Sequence, residues 1–590
     1  MKTAPSTGCG RPHVFGKLSS NRRGRVGQLA LLTLSWTLSL TTGASAQLKP
    51  EHLKDLTLLI SPDRPCVWPV GMTQHLVVPS RTFGPGAYHR DLIIIDEHTG
   101  TQWDAPAHFV PPPKSGLAGA GPMGLITGEK VPAWQFCGEA CVIDIRDHVD
   151  EAPDGQSFLI SPDIVYLWEK QNRPLRFGDV VLFRSDYSDK YYKPFPAGER
   201  FVTTALRKET PGWPAPTPRT MEYLGEMGIK TLGLDGASMG PLPDLAVATH
   251  QAGGQMGMIW TECSTNLGSL PTTGAFTAML TAKHAGGSGG ECRGIGITEP
   301  TLAARLIDSA RNKRVADLSV TLDEDYPVTW PGYGPGDEAS RYVSKTLNAF
   351  SKVRGPYFAK THMLDGLVGT HVVLPSFSLP PAGFDNSKYS EDVQSVLKKY
   401  ESKYGPRGYS SMTLEQAPLH QMMGEAHVVD VRKLVGSTNA AEWPKSPAIT
   451  REFLKEHDAT RPFQAGEVVV FFSGFSDAHF KPLPEPPELD GMFAAPLAGQ
   501  SEGWPAPTTD AIAYLAEKGI RCVGTDGPTL GGVDRENALM VYWLSASKGM
   551  LALEYLTNVG TIHDKPAYVL FAPIKIQGTR GGYGRALALY

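Results

Sequence analysis

Apolar residues follow two patterns along this chain. Short continuous runs rich in β-branched side chains, Leu92 to Ile95, Val180 to Phe183, Ile229 to Leu234 and Val468 to Phe471, read as buried strands. The segments between them carry helix signals. Ser161-Pro162 and Ser446-Pro447 each put a capping hydroxyl before a proline at the first helical position. Thr217-Pro218 opens another helix that Gly228 ends, and Gly519 closes its counterpart. Alternation of this kind predicts an α/β fold.

The same order of signals occurs twice. Asp55-Leu56-Thr57 with Trp68-Pro69 returns as Asp317-Leu318-Ser319 with Trp330-Pro331. Gly138-Glu139-Ala140 returns as Gly424-Glu425-Ala426, and Gly212-Trp213-Pro214-Ala215-Pro216-Thr217 as Gly503-Trp504-Pro505-Ala506-Pro507-Thr508. Self-similarity in constant order marks an internal duplication. The halves are expected at 47–300 and 310–590, joined by the polar stretch Ser309 to Arg314.

Composition narrows the function classes. The chain has 590 residues, 41% hydrophobic and 20% charged, with net charge −4. That supplies large cores and no basic field for a phosphate backbone, so nucleic acid is excluded as the expected partner. Arg22, Arg23 and Arg25 precede the apolar run Leu29 to Leu40 and the small residues Ala44-Ser45-Ala46, the order found in a secretory signal. Residues 1–46 are therefore expected to be removed, leaving an exported protein, periplasmic or secreted. No later stretch reaches the roughly 18 apolar residues of a membrane span. Beyond the signal, the cysteines are Cys66, Cys137, Cys141, Cys263, Cys292 and Cys522, too sparse for a disulfide framework. Cys137 and Cys141 read equally as buried thiols or as a bridge.

Candidate chemistry concentrates after the first strand. His98, Asp104 and His108 place two imidazoles and a carboxylate within eleven residues, and Gly100 and Pro106 bend the chain so that they can converge. Such a set suits a divalent ion of the zinc or manganese type. Trp103 and Phe109 flank it and could wall an aromatic pocket. The run Gly286 to Gly290 lacks the lysine and hydroxyl of a phosphate loop and reads as a flexible turn.

His98-x-Gly100-Thr101-Gln102-x-Asp104-x-Pro106-x-His108 resembles the signature of the metal-dependent cyclase family (kynurenine formamidase/isatin hydrolase-like), His-x-Gly-Thr-His-x-Asp-x-Pro-x-His. Gln102 stands where that signature has its middle histidine. His250 and Glu262-Cys263-Ser264-Thr265-Asn266-Leu267 resemble the family's late histidine and Glu-x-x-x-Asn-Leu. The resemblance implies two tandem domains of the swivelling β/β/α type. It also implies metal ligands at His98, Gln102, Asp104, His250 and Glu262, with His108 as general acid/base. One divalent metal, Mn²⁺ or Zn²⁺, is expected, Mn²⁺ matching better a site in which an amide replaces an imidazole.

Aligned through Gly100-Thr101 and Gly369-Thr370, the second half carries Leu367, Val373, Phe377 and Tyr542 in place of His98, Asp104, His108 and His250. It should bind no metal and act as a scaffold, packed on the first half as a pseudo-dimer in the way the family's dimers imply. Glu262 and Asp235 have counterparts in Glu554 and Asp526, which gives both a structural reading beside the functional one. The expected function is metal-assisted hydrolysis of a small carbonyl compound (an amide, cyclic amide or lactone), with His108 moving the proton and Glu262 assisting. A cyclase or dehydratase with the same residues, and a non-catalytic binding protein, are the alternatives.

Overall fold

A computed structural model describes residues 48–332, 341–353 and 355–590. The expected signal segment lies outside them. Besides the two-residue pair Leu159–Ile160 and Ala215–Pro216, the first half has the strands β1 (Leu53–Asp55), β2 (Leu76–Arg81), β3 (Arg90–Asp96), β4 (Gln102–Asp104), β5 (Cys137–Asp144), β6 (Asp179–Arg184), β7 (Thr231–Leu234), β8 (Ile259–Glu262), β9 (Ala275–Thr281) and β10 (Gly289–Ile297). Ten equivalents follow: β11 (Val315–Asp317), β12 (Val343–Asn348), β13 (Ala359–Asp365), β14 (His371–Val373), β15 (Met423–Asp430), β16 (Val468–Phe472), β17 (Cys522–Thr525), β18 (Leu551–Glu554), β19 (Tyr568–Pro573) and β20 (Gly581–Leu589).

Each half closes a seven-stranded mixed barrel. In the first, β4-β8-β7-β6-β5-β9-β10 return to β4, and β14-β18-β17-β16-β15-β19-β20 repeat the cycle in the second. The central strands pair in parallel, which explains their unbroken apolar runs: Val180 to Phe183 and Val468 to Phe472 are buried throughout. Helices cover the barrels. Thr217 and Thr508 cap Pro218–Glu226 and Thr509–Glu517 by accepting from the backbone N–H of Thr220 and Ala511. Ser161 sits at the N-cap of Pro162–Gln171 as expected. Ser446-Pro447 does not open a helix. There the hydroxyl accepts from the Val533 N–H, and the helix starts later, at Arg451, under a Thr450 cap. The join is helical only in its first part, because Pro300–Arg311 ends inside the polar stretch and Asn312 and Lys313 turn the chain into β11.

The halves pack as a pseudo-dimer. Strands β2 and β3 form a four-stranded sheet with β12 and β13, in the order β12-β13-β3-β2. In the antiparallel β3–β13 ladder Ile94 faces Met363, each six residues before its equivalent glycine, Gly100 or Gly369, so the pseudo-twofold axis passes between them. Other contacts cross in reciprocal pairs, as an isologous interface requires. Lys575 binds Asp55 while Lys283 binds Asp317, and Ile60 bridges Ile576 while His284 bridges Leu322. One apolar core, containing Phe276, Leu280 and Ile295 together with Leu570, Phe571 and Leu587, runs across the boundary. The six cysteines are buried free thiols, so Cys137 and Cys141 form no bridge. Among the described residues no helix is long and apolar enough to cross a membrane.

Candidate metal centre

Strand β4 brings Gln102 and Asp104 onto the barrel wall beside β8, where Gln102 pairs with Glu262 and Asp104 with Trp260. His98 comes from the turn after β3, His108 from the short turn Pro106–His108, and His250 from the helix Ala246–Gln255. All six expected site residues meet there and all are buried, Asp104 completely. Ligand atoms of His98, Asp104 and His108 lie within 4.8 Å of one another, as do those of Asp104, His250 and Glu262.

Every imidazole has one nitrogen fastened outward and the other left facing Asp104. Ser288 Oγ donates to Glu97 Oε2 at 2.6 Å, so it accepts from His98 Nε2 at 2.9 Å. That leaves His98 Nδ1 facing Asp104 Oδ1 at 3.3 Å. His250 Nδ1 donates to the Ala246 carbonyl at 2.7 Å, and its Nε2 lies 3.5 Å from Asp104 Oδ2. His108 Nδ1 donates to the Phe358 carbonyl at 2.6 Å, a contact from the second half, and its Nε2 lies 3.9 Å from Asp104 Oδ2. Fixing one ring nitrogen decides which lone pair is offered at the other.

The centre also holds polar atoms that the protein leaves unsatisfied. Gln102 Nε2 donates to Glu262 Oε2 at 2.8 Å, which turns Oε1 inward. Gln102 Oε1, Asp104 Oδ1 and His98 Nδ1 are buried and have no hydrogen-bond partner. Three such atoms at one point are costly unless something binds them, and an oxygen-oxygen-imidazole set fits a divalent cation. Glu262 is more fully engaged. Its Oε1 accepts from the Met239 N–H at 2.6 Å and faces His250 Nε2 at 3.2 Å.

Charge follows from this burial. Desolvation, then the nearby Glu262 charge, raises the Asp104 pKa. Desolvation lowers the His98 pKa, but the Asp104 carboxylate facing it at 3.3 Å, with Asp96 and Glu97, outweighs that and raises it to about 9. His108 is pushed well below the usual histidine range by burial and by the His98 and His250 charges, so it is a neutral base at neutral pH. Phe109 and Tyr357 pack edge-on against the His108 ring and form the aromatic wall. Trp103 is not part of that wall, since it is buried in the core against Phe136.

Some of the site was not anticipated from sequence. The glycine run starts in a turn, with Gly286 at φ 58°, but its end is a wall: Gly289 begins β10, and a Cβ there would meet the Trp103 carbonyl at 2.0 Å and His98 Cε1 at 3.2 Å. Its Ser288 holds His98, and Glu97 holds Ser288 while facing His362 of the second half at 3.2 Å. Asp235 is structural. It accepts from Ser185 N and Oγ and from Asp186 N, as Asp526 does from Ser473 N and Oγ and from Gly474 N.

In the second half, Val373 holds the barrel position of Asp104, pairing with Ala552 and Gly581 as Asp104 pairs with Trp260 and Gly289. Leu367 occupies the place of His98 against the equivalent glycine. The middle histidine of the signature survives there as His371, which faces Glu554 Oε2 at 3.1 Å where Gln102 meets Glu262.

The Cyclase family model matches residues 54–241 and again 316–531, together more than half of the chain. The chain belongs to the cyclase family. Isatin hydrolase of Roseibium aggregatum is 28% identical over 253 residues, 38% of this chain and 89% of that protein. Among solved structures, isatin hydrolase A of Labrenzia aggregata bound to benzyl benzoate has 24% identity and a TM-score of 0.36, covering 42% of this chain and 93% of that one. The isatin hydrolase A of Ralstonia solanacearum has 26% identity and a TM-score of 0.36, covering 42% and 92%.

Proposed function

We propose that the first half is a metal-dependent hydrolase of an aromatic amide, cyclic amide or lactone, and that the second half is its non-catalytic partner. The convergence of three inward-facing imidazole nitrogens and two orphaned oxygens around Asp104 carries this reading. His98, Gln102, Asp104, His250 and Glu262 would hold one divalent ion, Mn²⁺ or Zn²⁺. When bound, the ion supplies Lewis acidity to the substrate carbonyl and to water.

The chain's own residues do the rest. His108 is neutral and turns Nε2 toward Asp104 at the centre, so it takes a proton from the attacking water and returns it to the leaving nitrogen or oxygen. Its Nδ1–H is held by the Phe358 carbonyl, which keeps the proton-accepting nitrogen on the reacting side. Phe109 and Tyr357 seat an aromatic ring beside it. Burial of the whole set excludes bulk water and strengthens each charge interaction. The N-terminal signal pattern supports export, so we propose a substrate met outside the cytoplasm.

A screen of lactams, N-formyl aryl amines and lactones with Mn²⁺- or Zn²⁺-loaded protein tests the reading. Turnover of at least one aryl substrate, absent in Asp104→Ala, is expected. Metal-loaded protein inert to all three classes would refute it.

A further inference from the structure

We propose that the second half is a binding site for an uncharged planar aromatic molecule of one or two fused rings. The inference is independent of the hydrolase reading. It starts from a cavity of about 720 Å³ at the position where the first half has its metal centre, lined by Leu367, His371, Val373, Phe377, Tyr542 and Glu554. That volume lies within the 300–1,000 Å³ typical of small-molecule sites.

The floor is not a vestigial metal site. Glu554 Oε1 accepts from the Tyr542 hydroxyl at 2.6 Å and from the Leu530 N–H at 2.8 Å, and its Oε2 faces His371 Nε2 at 3.1 Å. His371 Nδ1 donates to the Gly369 carbonyl at 2.7 Å. Of the three atoms that the first half leaves orphaned, two have no counterpart here, because Leu367 and Val373 replace His98 and Asp104, and His371, in place of Gln102, has both nitrogens engaged by Gly369 and Glu554. Replacement of His98, Asp104 and His108 by Leu367, Val373 and Phe377 made the walls apolar and left the space.

Aromatic faces dominate what remains. Tyr88, lent by the first half, stacks on Phe377 with ring centroids 4.7 Å apart and planes 9° apart, and both meet Tyr542 edge-on at 5.6 Å. Trp330 meets Phe493 edge-on at 5.6 Å on the same cavity. Two of the guanidinium groups that line it are paired within the protein, Arg90 with Asp365 at 3.2 Å and Arg535 with Asp392 at 2.5 Å. Stacking surfaces with internally matched charges favour a neutral flat ring over an ion. Access is through Thr82, Pro85 and Gly86, all exposed.

Calorimetric titration of the full, metal-loaded chain with 2-naphthol tests this, with decahydro-2-naphthol as the same skeleton without aromatic faces. Gly86→Trp plugs the mouth, since a Cβ there meets nothing within 4 Å, and it leaves the metal centre untouched. Phe377→Leu removes one stacking face. Saturable binding of 2-naphthol is expected, at least tenfold tighter than decahydro-2-naphthol, and weakened at least tenfold by either variant. Binding that is unchanged in both variants, binding lost in Asp104→Ala but not in Gly86→Trp, or equal affinity for the saturated alcohol would overturn the proposal.

Discussion

Replacing Ser288 by alanine tests how the metal centre is aimed. The hydroxyl accepts from His98 Nε2 at 2.9 Å and donates to Glu97 Oε2 at 2.6 Å, whereas the Ser288 N–H bond to Glu97, at 3.0 Å, survives the substitution. The perturbation therefore falls on His98. Its outer nitrogen would be buried without an acceptor, and the ring would lose the bond that keeps Nδ1 pointed at Asp104. Losing an outer partner of a metal-ligating histidine costs about 10- to 100-fold in metal affinity, about 1.4 to 2.7 kcal/mol. The metal-free protein should also lose about 1 to 3 kcal/mol for the stranded polar group. Competition of metal-stripped protein against a chromophoric chelator measures the first quantity, and denaturant unfolding the second. Metal affinity within threefold of wild type would refute the claim that the Glu97–Ser288–His98 chain sets the ligand geometry.

Three further outcomes follow from the same geometry. His108→Asn should keep its metal, measured by elemental analysis, and lose about 10² to 10⁴ in kcat; loss of metal in step with rate would make His108 a ligand instead. Burial raises Asp235 to about 7 against the hydrogen bonds from Ser185 that lower it, so the folded chain retains a proton that the unfolded chain has released. Stability from this group is full below about pH 4 and is lost as pH rises toward 7, and Asp235→Asn should flatten the fall in denaturant stability between pH 5 and 8; an unchanged slope would contradict this. A chain ending at Ile297 removes the partner strand of β3, the Phe358 carbonyl that holds His108 and the His362 that faces Glu97. It should self-associate and lose most of its turnover, as judged by light scattering and assay, whereas a monomeric, fully active fragment would show the second half to be dispensable.

The duplication and the metal cluster were legible because both are written as residue identity in fixed order. Gly-Trp-Pro-Ala-Pro repeats intact since Trp213 and Trp504 fill equivalent buried positions, each donating its indole N–H to a backbone carbonyl. Residues that act through tertiary contact were hidden. Ser288 lies far along the chain from His98, inside a glycine run whose purpose is close approach of the backbone, and nothing local distinguishes it from a turn. His362 reaches the first site through the exchanged β3–β13 sheet, which requires knowing that the two halves pair. His371 was readable in principle, because Gly369-Thr370-His371 keeps the Gly-Thr-His of the signature in the half that lost the other ligands. Ser446-Pro447 misled because a short paired segment, Ala448–Ile449, separates it from the helix it seemed to open.

Elemental analysis of the purified full chain, with Asp104→Ala and the double substitution His371→Ala/Glu554→Ala beside it, tests the central claim most directly. One divalent metal per chain in wild type, none in Asp104→Ala and one in the double variant are predicted. Two metals per wild-type chain, or metal retained when Asp104 is removed, would contradict the assignment of a single centre to the first half.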